Sequence, residues 1–131
     1  NLMAAKRGLG VIDFQDALRG PFLYDLVALL RDSYVEVPEP LLGQLIERYR
    51  GQRQGMPDAA TFRRWFDLQA LQRKLKDAGR FVYIDQVRGN PDFLQHIPLS
   101  LAYVDEAFDR LPDYADLRRI VAPLVPELKD V

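Results

Sequence analysis

Asn1-Leu-Met-Ala-Ala-Lys-Arg-Gly-Leu-Gly-Val-Ile-Asp13-Phe-Gln-Asp16 is the stretch that decides how the rest of this chain is read. Two short apolar runs, residues 2–5 and 9–12, flank Lys6-Arg7-Gly8. Apolar runs joined by so short a glycine-bearing link predict a β-hairpin. A turn centred on Arg7 sets Ala5 across from Leu9, Leu2 across from Ile12 and Asn1 across from Asp13. Directly opposed residues on adjacent strands bring their Cβ atoms to about 4.5–5.5 Å. At that separation an amide oxygen and a carboxylate can share one hard cation. Mg²⁺ takes such oxygen ligands together with substrate phosphates. Asn1 and Asp13 are therefore the candidate metal ligands. A hairpin that merely has polar ends is the plainer alternative, and geometry alone favours it.

The surrounding residues change that balance. Asn1-Leu2 followed by a hairpin and then Ile12-Asp13-Phe14 resembles the arrangement of protein-kinase-like phosphotransferases. In these enzymes a catalytic-loop Asn and the Asp of an Asp-Phe-Gly-type segment hold Mg²⁺. Gln15 stands where protein kinases have Gly, which is similar to the aminoglycoside and small-molecule kinase branch. The run from Gly10 to Asp32, Gly-Val-Ile-Asp-Phe-Gln-Asp-Ala-Leu-Arg-Gly-Pro-Phe-Leu-Tyr-Asp-Leu-Val-Ala-Leu-Leu-Arg-Asp, resembles one subgroup, the bacterial N-acetylmuramate/N-acetylglucosamine anomeric kinases. The run from Phe66 to Phe81, Phe-Asp-Leu-Gln-Ala-Leu-Gln-Arg-Lys-Leu-Lys-Asp-Ala-Gly-Arg-Phe, resembles it too.

The resemblance implies an ATP-dependent phosphotransferase that phosphorylates an amino sugar in cell-wall recycling, with Mg²⁺ as cofactor and ATP as cosubstrate. It implies a mainly α (α+β) fold, a kinase-like C-terminal lobe with one β-hairpin packed on a helical bundle. The expected organisation is a single domain over 1–131, with the metal-site hairpin in 1–13 and the helical region in 14–131. The family's catalytic base Asp precedes the loop Asn in a His-x-Asp-x-x-x-x-Asn pattern, so none is expected within this chain. The eight glycines are scattered and form no phosphate-cradling cluster. The chain is thus expected to be a C-terminal portion whose N-lobe is a missing partner, inactive alone and prone to self-association through the uncovered surface.

Composition narrows the remaining classes. A chain of 131 residues that is 48% hydrophobic can bury a real core as one domain. A net charge of −1 supplies no basic field for a nucleic acid. No apolar run approaches the roughly 20 residues that span a bilayer, so no membrane partner is expected. The chain contains no cysteine, which fits a reducing, cytoplasmic setting. Arg63, Arg64, Arg73, Lys74 and Lys76 sit among acids and read as a solvated helix face.

Beyond the hairpin the pattern is helical. Gly20-Pro21 opens an apolar stripe through Leu30, and Leu41, Leu42, Leu45, Ile46 and Tyr49 repeat at helical spacing after Pro38 and Pro40. Pro57-Asp58 opens a long helix through Ala78 that Gly79 is expected to close. Residues 80–88 suit strand or helix and are taken as helix. Gly89-Asn90-Pro91 is a loop, Ile97-Pro98 starts a further helix ended by Pro112, and a last helix covers about 114–124.

Three further positions follow. Asp25 matches the Asp of the family's Gly-Pro-x-x-Tyr-Asp-Leu segment, which implies structural support of the catalytic loop by accepting backbone hydrogen bonds. Asp16 reads as an outer acid near the metal or as a solvated cap. On the long helix, 100° winding puts Leu68, Leu71, Leu75 and Ala78 on a core side, opposite Phe62, Trp65, Phe66, Gln69, Gln72, Arg73 and Lys76. Rings interleaved with amides and cations suit a polyhydroxylated ligand. Aromatic dominance in cores favours the competing reading, in which those rings pack on neighbouring helices. The resemblance keeps Trp65, Gln69 and Arg73 as candidate substrate-binding residues. His96 reads as structural. An aminoglycoside or choline-type kinase, or a non-catalytic helical interaction module, are the alternatives to the amino-sugar kinase.

Overall fold

The computed structural model describes residues 2–12, 18–125 and 128. It is mainly α, with one two-stranded antiparallel sheet among the described residues. Strands β1 (Leu2–Ala5) and β2 (Gly8–Val11) pair Leu2 with Val11, Met3 with Gly10, Ala4 with Leu9 and Ala5 with Gly8. The hairpin is therefore real, but its register differs by one residue from a turn centred on Arg7. Lys6 and Arg7 form a two-residue link, and Gly8 takes φ 122° as the first residue of β2. A backbone angle of that kind is open to glycine and rare for any residue with a Cβ, so Gly8 pairs where a bulkier residue would have stayed in the turn. A shift of one residue moves every side chain to the other face. The pairing of Leu2 with Ile12, on which the expected opposition of Asn1 and Asp13 stood, is not the one formed. Asn1 and Asp13 themselves lie outside the described residues, as does Asp16. Leu2, Met3, Leu9 and Val11 remain exposed rather than joining the helical core.

Helix α1 (Tyr24–Leu30) starts after a turn in which the Tyr24 N–H donates to the Pro21 carbonyl at 3.0 Å, so Pro21 precedes the helix. Helix α2 (Glu39–Gly51) has Pro40 in its first turn, where the missing N–H costs nothing. Asp58 caps helix α3 (Ala59–Arg88): its carboxylate accepts the Thr61 N–H at 3.0 Å and the Thr61 hydroxyl at 2.8 Å. Contrary to expectation, α3 runs through Gly79 without a break. Glycine inside a helix costs about 1 kcal/mol, and burial of Ala78 and Phe81 on either side of it outweighs that. The helix ends instead at Gly89, which adopts φ 64° and donates its N–H to the Asp85 carbonyl. The helical reading of residues 80–88 holds. A 3-10 stretch, Pro91–His96, leads into α4 (Ile97–Asp109), and α5 (Ala115–Val121) follows a second such turn.

Helix α3 is the spine between two apolar clusters. Its first half supplies Phe62, Phe66 and Ala70 to a core with Leu23, Val27 and Leu30 of the α1 segment and Leu42 and Ile46 of α2. From Leu71 onward it supplies Leu71 and Ala78 to a core with Leu101, Val104, Ala107 and Phe108 of α4. Phe62 and Phe66, set on the ligand side by simple winding, are fully buried. A helix covered from two directions buries two stripes, and a single core face is the wrong template for it. For those two rings the packing alternative was the right one.

Charged groups stitch the same junction. Arg31, 3% exposed, reaches Glu39 at 3.1 Å and Glu106 at 2.7 Å and stacks 4.4 Å from the Tyr103 ring centre. Asp67, also buried, lies 3.2 Å from Arg63 and 3.1 Å from Arg110. Partial burial opposes ionisation of Glu39, but the hydrogen bond from Arg63 and the charges of Arg63, Arg31 and Arg110 hold its carboxyl below the usual 4.5. A carboxylate with a depressed folded-state pKa stabilises the fold above its unfolded value, and that contribution fades as pH falls through the folded value. Glu39→Gln should therefore lower Tm most at neutral pH, with the gap to the parent narrowing below about pH 4.5. Thermal melts from neutral pH down to about pH 3 check this; a pH-independent gap would contradict the linkage.

Candidate functional site

Two recesses open beside the seam of α1 and α3. The first is a groove of about 390 Å³ lined by Pro21, Trp65, Leu68, Gln69 and Gln72. Trp65 is 41% exposed, with the Phe22 ring edge-on at 6.1 Å and 78°. That contact fixes the indole while leaving part of its face open. The Gln69 amide donates to the Gln72 side-chain oxygen at 3.1 Å. The pair thus presents amide groups beside an aromatic surface, a combination able to take hydroxyls and an apolar ring face together.

Arg73 does not share that groove. Eight residues along an α-helix rotate a side chain by about 80° beyond two full turns, which carries Arg73 round to the second recess. There its guanidinium lies 4.4 Å from the Tyr24 ring centre, and its Nε is 3.9 Å from Asp77. The three candidate substrate residues divide accordingly: Trp65 and Gln69 are brought together, and Arg73 stands apart.

The second recess, about 680 Å³, is cationic. Arg73, Lys74, Lys76, Arg80 and Arg88 line it, against two carboxylates, Asp32 and Asp77. One wall is aromatic: Phe81 stacks on Phe93 at 5.8 Å and 14°, and Tyr34 packs against Phe81. Lys74 is almost wholly buried, with its ammonium 2.9 Å from both the Ser33 hydroxyl and Asp77. Burial lowers its pKa, with the hydrogen bond and charge of Asp77 working the other way. Ser100, buried on α4, lies 2.9 Å from the same Ser33 oxygen. On the rim the Lys76 ammonium donates to the Tyr24 hydroxyl at 3.2 Å, which lowers the Tyr24 pKa despite partial burial.

The solvated face that sequence suggested holds for Lys76 and Arg64 and fails for Lys74 and Arg63. Lys74 is interior, and Arg63 pairs with Glu39 and Asp67. The cluster was visible as Arg73, Lys74, Lys76 and Arg80 within two helical turns, but the residues that make it a recess, Ser33, Tyr34 and Phe93, come from distant parts of the chain. His96, read as structural, packs its ring against Tyr34 at 4.5 Å and 77°, and its carbonyl accepts from Ser100 at 3.0 Å. Asp25 is exposed in the first turn of α1. Among the described residues no group of three or more His, Cys, Asp or Glu could hold a metal ion, and no helix is long and apolar enough to cross a membrane. The Mg²⁺ expectation therefore rests on Asn1 and Asp13, outside the described residues.

Comparison with known proteins adds a family to this geometry. Residues 1–65 match the phosphotransferase enzyme family. The chain is 37% identical over 129 residues to the N-acetylmuramate/N-acetylglucosamine kinase of Pseudomonas aeruginosa, covering 95% of this chain and 38% of that protein. The Pseudomonas putida kinase of the same description gives the same identity and coverage. The Neisseria meningitidis one is 38% identical over 130 residues, covering 95% of this chain and 39% of that protein. This chain therefore spans well under half the length of these curated relatives. No solved structure matches it. Both recesses lie in a chain that is similar over 95% of its own length to N-acetylmuramate/N-acetylglucosamine kinases, and its residues 1–65 carry the pattern of the phosphotransferase enzyme family.

Proposed function

We propose that this chain is the helical portion of a longer ATP-dependent phosphotransferase whose acceptor is an amino sugar. The observation that carries the reading is the 37% identity to N-acetylmuramate/N-acetylglucosamine kinases over 95% of the chain. In this reading the nucleotide-binding lobe and the catalytic base belong to the rest of the protein, and the cytoplasm, where ATP is made and kept, is its place of work. Asn1 and Asp13 supply metal ligands, and Mg²⁺ when bound neutralises charge on the transferring phosphoryl group. Asp25, exposed at the start of α1, is free to receive donors from the catalytic loop. Trp65 and Gln69 offer the sugar a ring face and an amide across the groove they share with Gln72. A mostly apolar concavity with few polar groups is the usual design of a small-molecule site.

The test is an acceptor screen with the full-length protein and ATP. Phosphorylation of N-acetylmuramate or N-acetylglucosamine, with kcat/KM at least about tenfold above that for aminoglycosides and choline, is expected; a tenfold ratio corresponds to about 1.4 kcal/mol of discrimination. Turnover confined to aminoglycosides or choline would move the protein to a different acceptor class. No turnover of any acceptor by a folded, ATP-binding full-length protein would support an interaction module instead.

A further inference from the structure

Arg80 and Arg88 stand exposed near the end of α3, line the cationic recess, and make no hydrogen bond or ion pair among the described residues. The other cations of the recess are engaged. Lys74 is held by Asp77 and Ser33, each at 2.9 Å, and Lys76 donates to Tyr24 while lying 3.4 Å from Asp77. Arg73, stacked on Tyr24, lends charge from behind, since its Nε and Nη1 are buried and beyond a ligand's reach. Asp77 is thereby shared among three cations, and Asp32 is the other carboxylate on the lining. Five cations against two carboxylates leave an excess of positive charge at a mouth where two guanidinium groups are free. A recess of about 680 Å³ has the size of a small-molecule site rather than of a protein-docking face.

We propose that this recess is an anion site separate from the Trp65 groove, and that it takes a diphosphate group with Arg80 and Arg88 as its ligands. The inference goes beyond the kinase reading and stands without it. Eight residues set the two Arg Cα atoms about 12 Å apart along the helix axis. Long side chains leaning together from that spacing reach both ends of a diphosphate, whereas one carboxylate gives them too little to share. Guanidinium groups donate paired, charge-assisted hydrogen bonds to phosphate oxygens. Neither Arg has to give up an existing partner to do so. Tyr34, 54% exposed on the same lining, offers an aromatic surface beside the anion. The diphosphate therefore has two sources, free pyrophosphate or a nucleoside diphosphate whose base meets that ring.

The test is calorimetric titration of the full-length protein in metal-free buffer, with pyrophosphate and UDP as probes and glutarate as a dicarboxylate comparison. Pyrophosphate should bind with Kd below about 1 mM, and glutarate at least about tenfold more weakly. Arg80→Gln and Arg88→Gln should each weaken pyrophosphate about tenfold, as expected for losing a hydrogen bond between charged groups. Arg48→Gln removes the same charge from an exposed position of α2 off the recess lining. It should leave Kd within about twofold, because salt screens charges outside the site. KM for ATP should be unchanged in all three variants. UDP binding more tightly than pyrophosphate, with the gain lost in Tyr34→Ala, assigns the site to a nucleoside diphosphate; equal or weaker UDP binding assigns it to the free anion. The proposal is overturned if neither probe binds, if glutarate binds as well, or if the Arg80 and Arg88 variants bind as the parent does. Equal damage from Arg48→Gln, or a rise in KM for ATP matching the lost binding, overturns it too. A parent protein without kinase activity would remove the kinase reading and leave the binding results to decide this site.

Discussion

Phe66→Ala should lower the unfolding free energy by about 3–5 kcal/mol, the range for truncating a buried aromatic residue. Phe66 has no exposed surface and sits among Val27, Leu30, Leu42, Ile46 and Phe62. Three helices meet at that ring, so none can close the void without pulling away from another, and the cavity penalty adds to the lost transfer energy. The ring also lies under the Arg63 guanidinium at 5.9 Å, which joins the apolar core to the ion pairs of Glu39 and Asp67. Denaturant titration of the full-length protein, followed by a probe of the helical region, measures the shift. Gln72→Ala, an exposed change one turn and a half further along α3, should stay within about 0.5 kcal/mol. The two placements of Phe66 predict different outcomes. If it stood on a ligand face, the variant would keep its stability and lose acceptor affinity; a stability loss below about 1 kcal/mol, under the usual cost of any buried truncation, would restore that placement.

Helix positions were legible in the sequence wherever local chemistry alone decides them. Pro57-Asp58 at the head of α3 and Ile97-Pro98 at the head of α4 follow from which groups a helix end leaves unpaired, whereas Pro40, read as part of the loop, stands in the first turn of α2. Gly79 was misleading for the converse reason. A glycine signals a stop only if nothing beyond it repays continuing, and the burial of Phe81 against the Tyr34 and Phe93 rings does repay it. The face of α3 was half legible. Periodicity found Leu71 and Ala78, but it could not show that α1 and α2 cover the other flank over Phe62 and Phe66. At the candidate site, spacing by four residues brought Trp65 and Gln69 to one groove, and helical drift took Arg73 away from them. The cationic recess needed Ser33 and Phe93, residues from either side of α3 in sequence. No pattern within α3 reveals a contact of that range.

Asp13→Ala in the full-length protein should abolish turnover, by at least about 10²–10³-fold in kcat, the scale seen when one preorganised stabiliser of transition-state charge is removed. The expectation draws on Ile12-Asp13-Phe14 within the segment that matches the phosphotransferase enzyme family. It no longer draws on strand pairing, since the register found places Val11, not Ile12, across from Leu2. Asp13→Asn separates the two grounds. An amide of the same shape keeps any hydrogen-bonding role but gives up the charge, so a metal ligand should fail almost as badly as in the Ala variant. Folding should survive both changes, because among the described residues the buried members of the two helical cores all lie at Leu23 or beyond. An unchanged melting temperature with lost turnover is therefore the expected signature. Added Mg²⁺ should recover part of the rate in Asp13→Asn if weakened metal affinity is the cause, since saturation offsets a raised dissociation constant. Asn1→Ala should cost less, because a neutral amide contributes less to holding a divalent cation than a carboxylate does. Near-parental turnover in Asp13→Ala would remove this carboxylate from the chemistry and return the hairpin to a structural role.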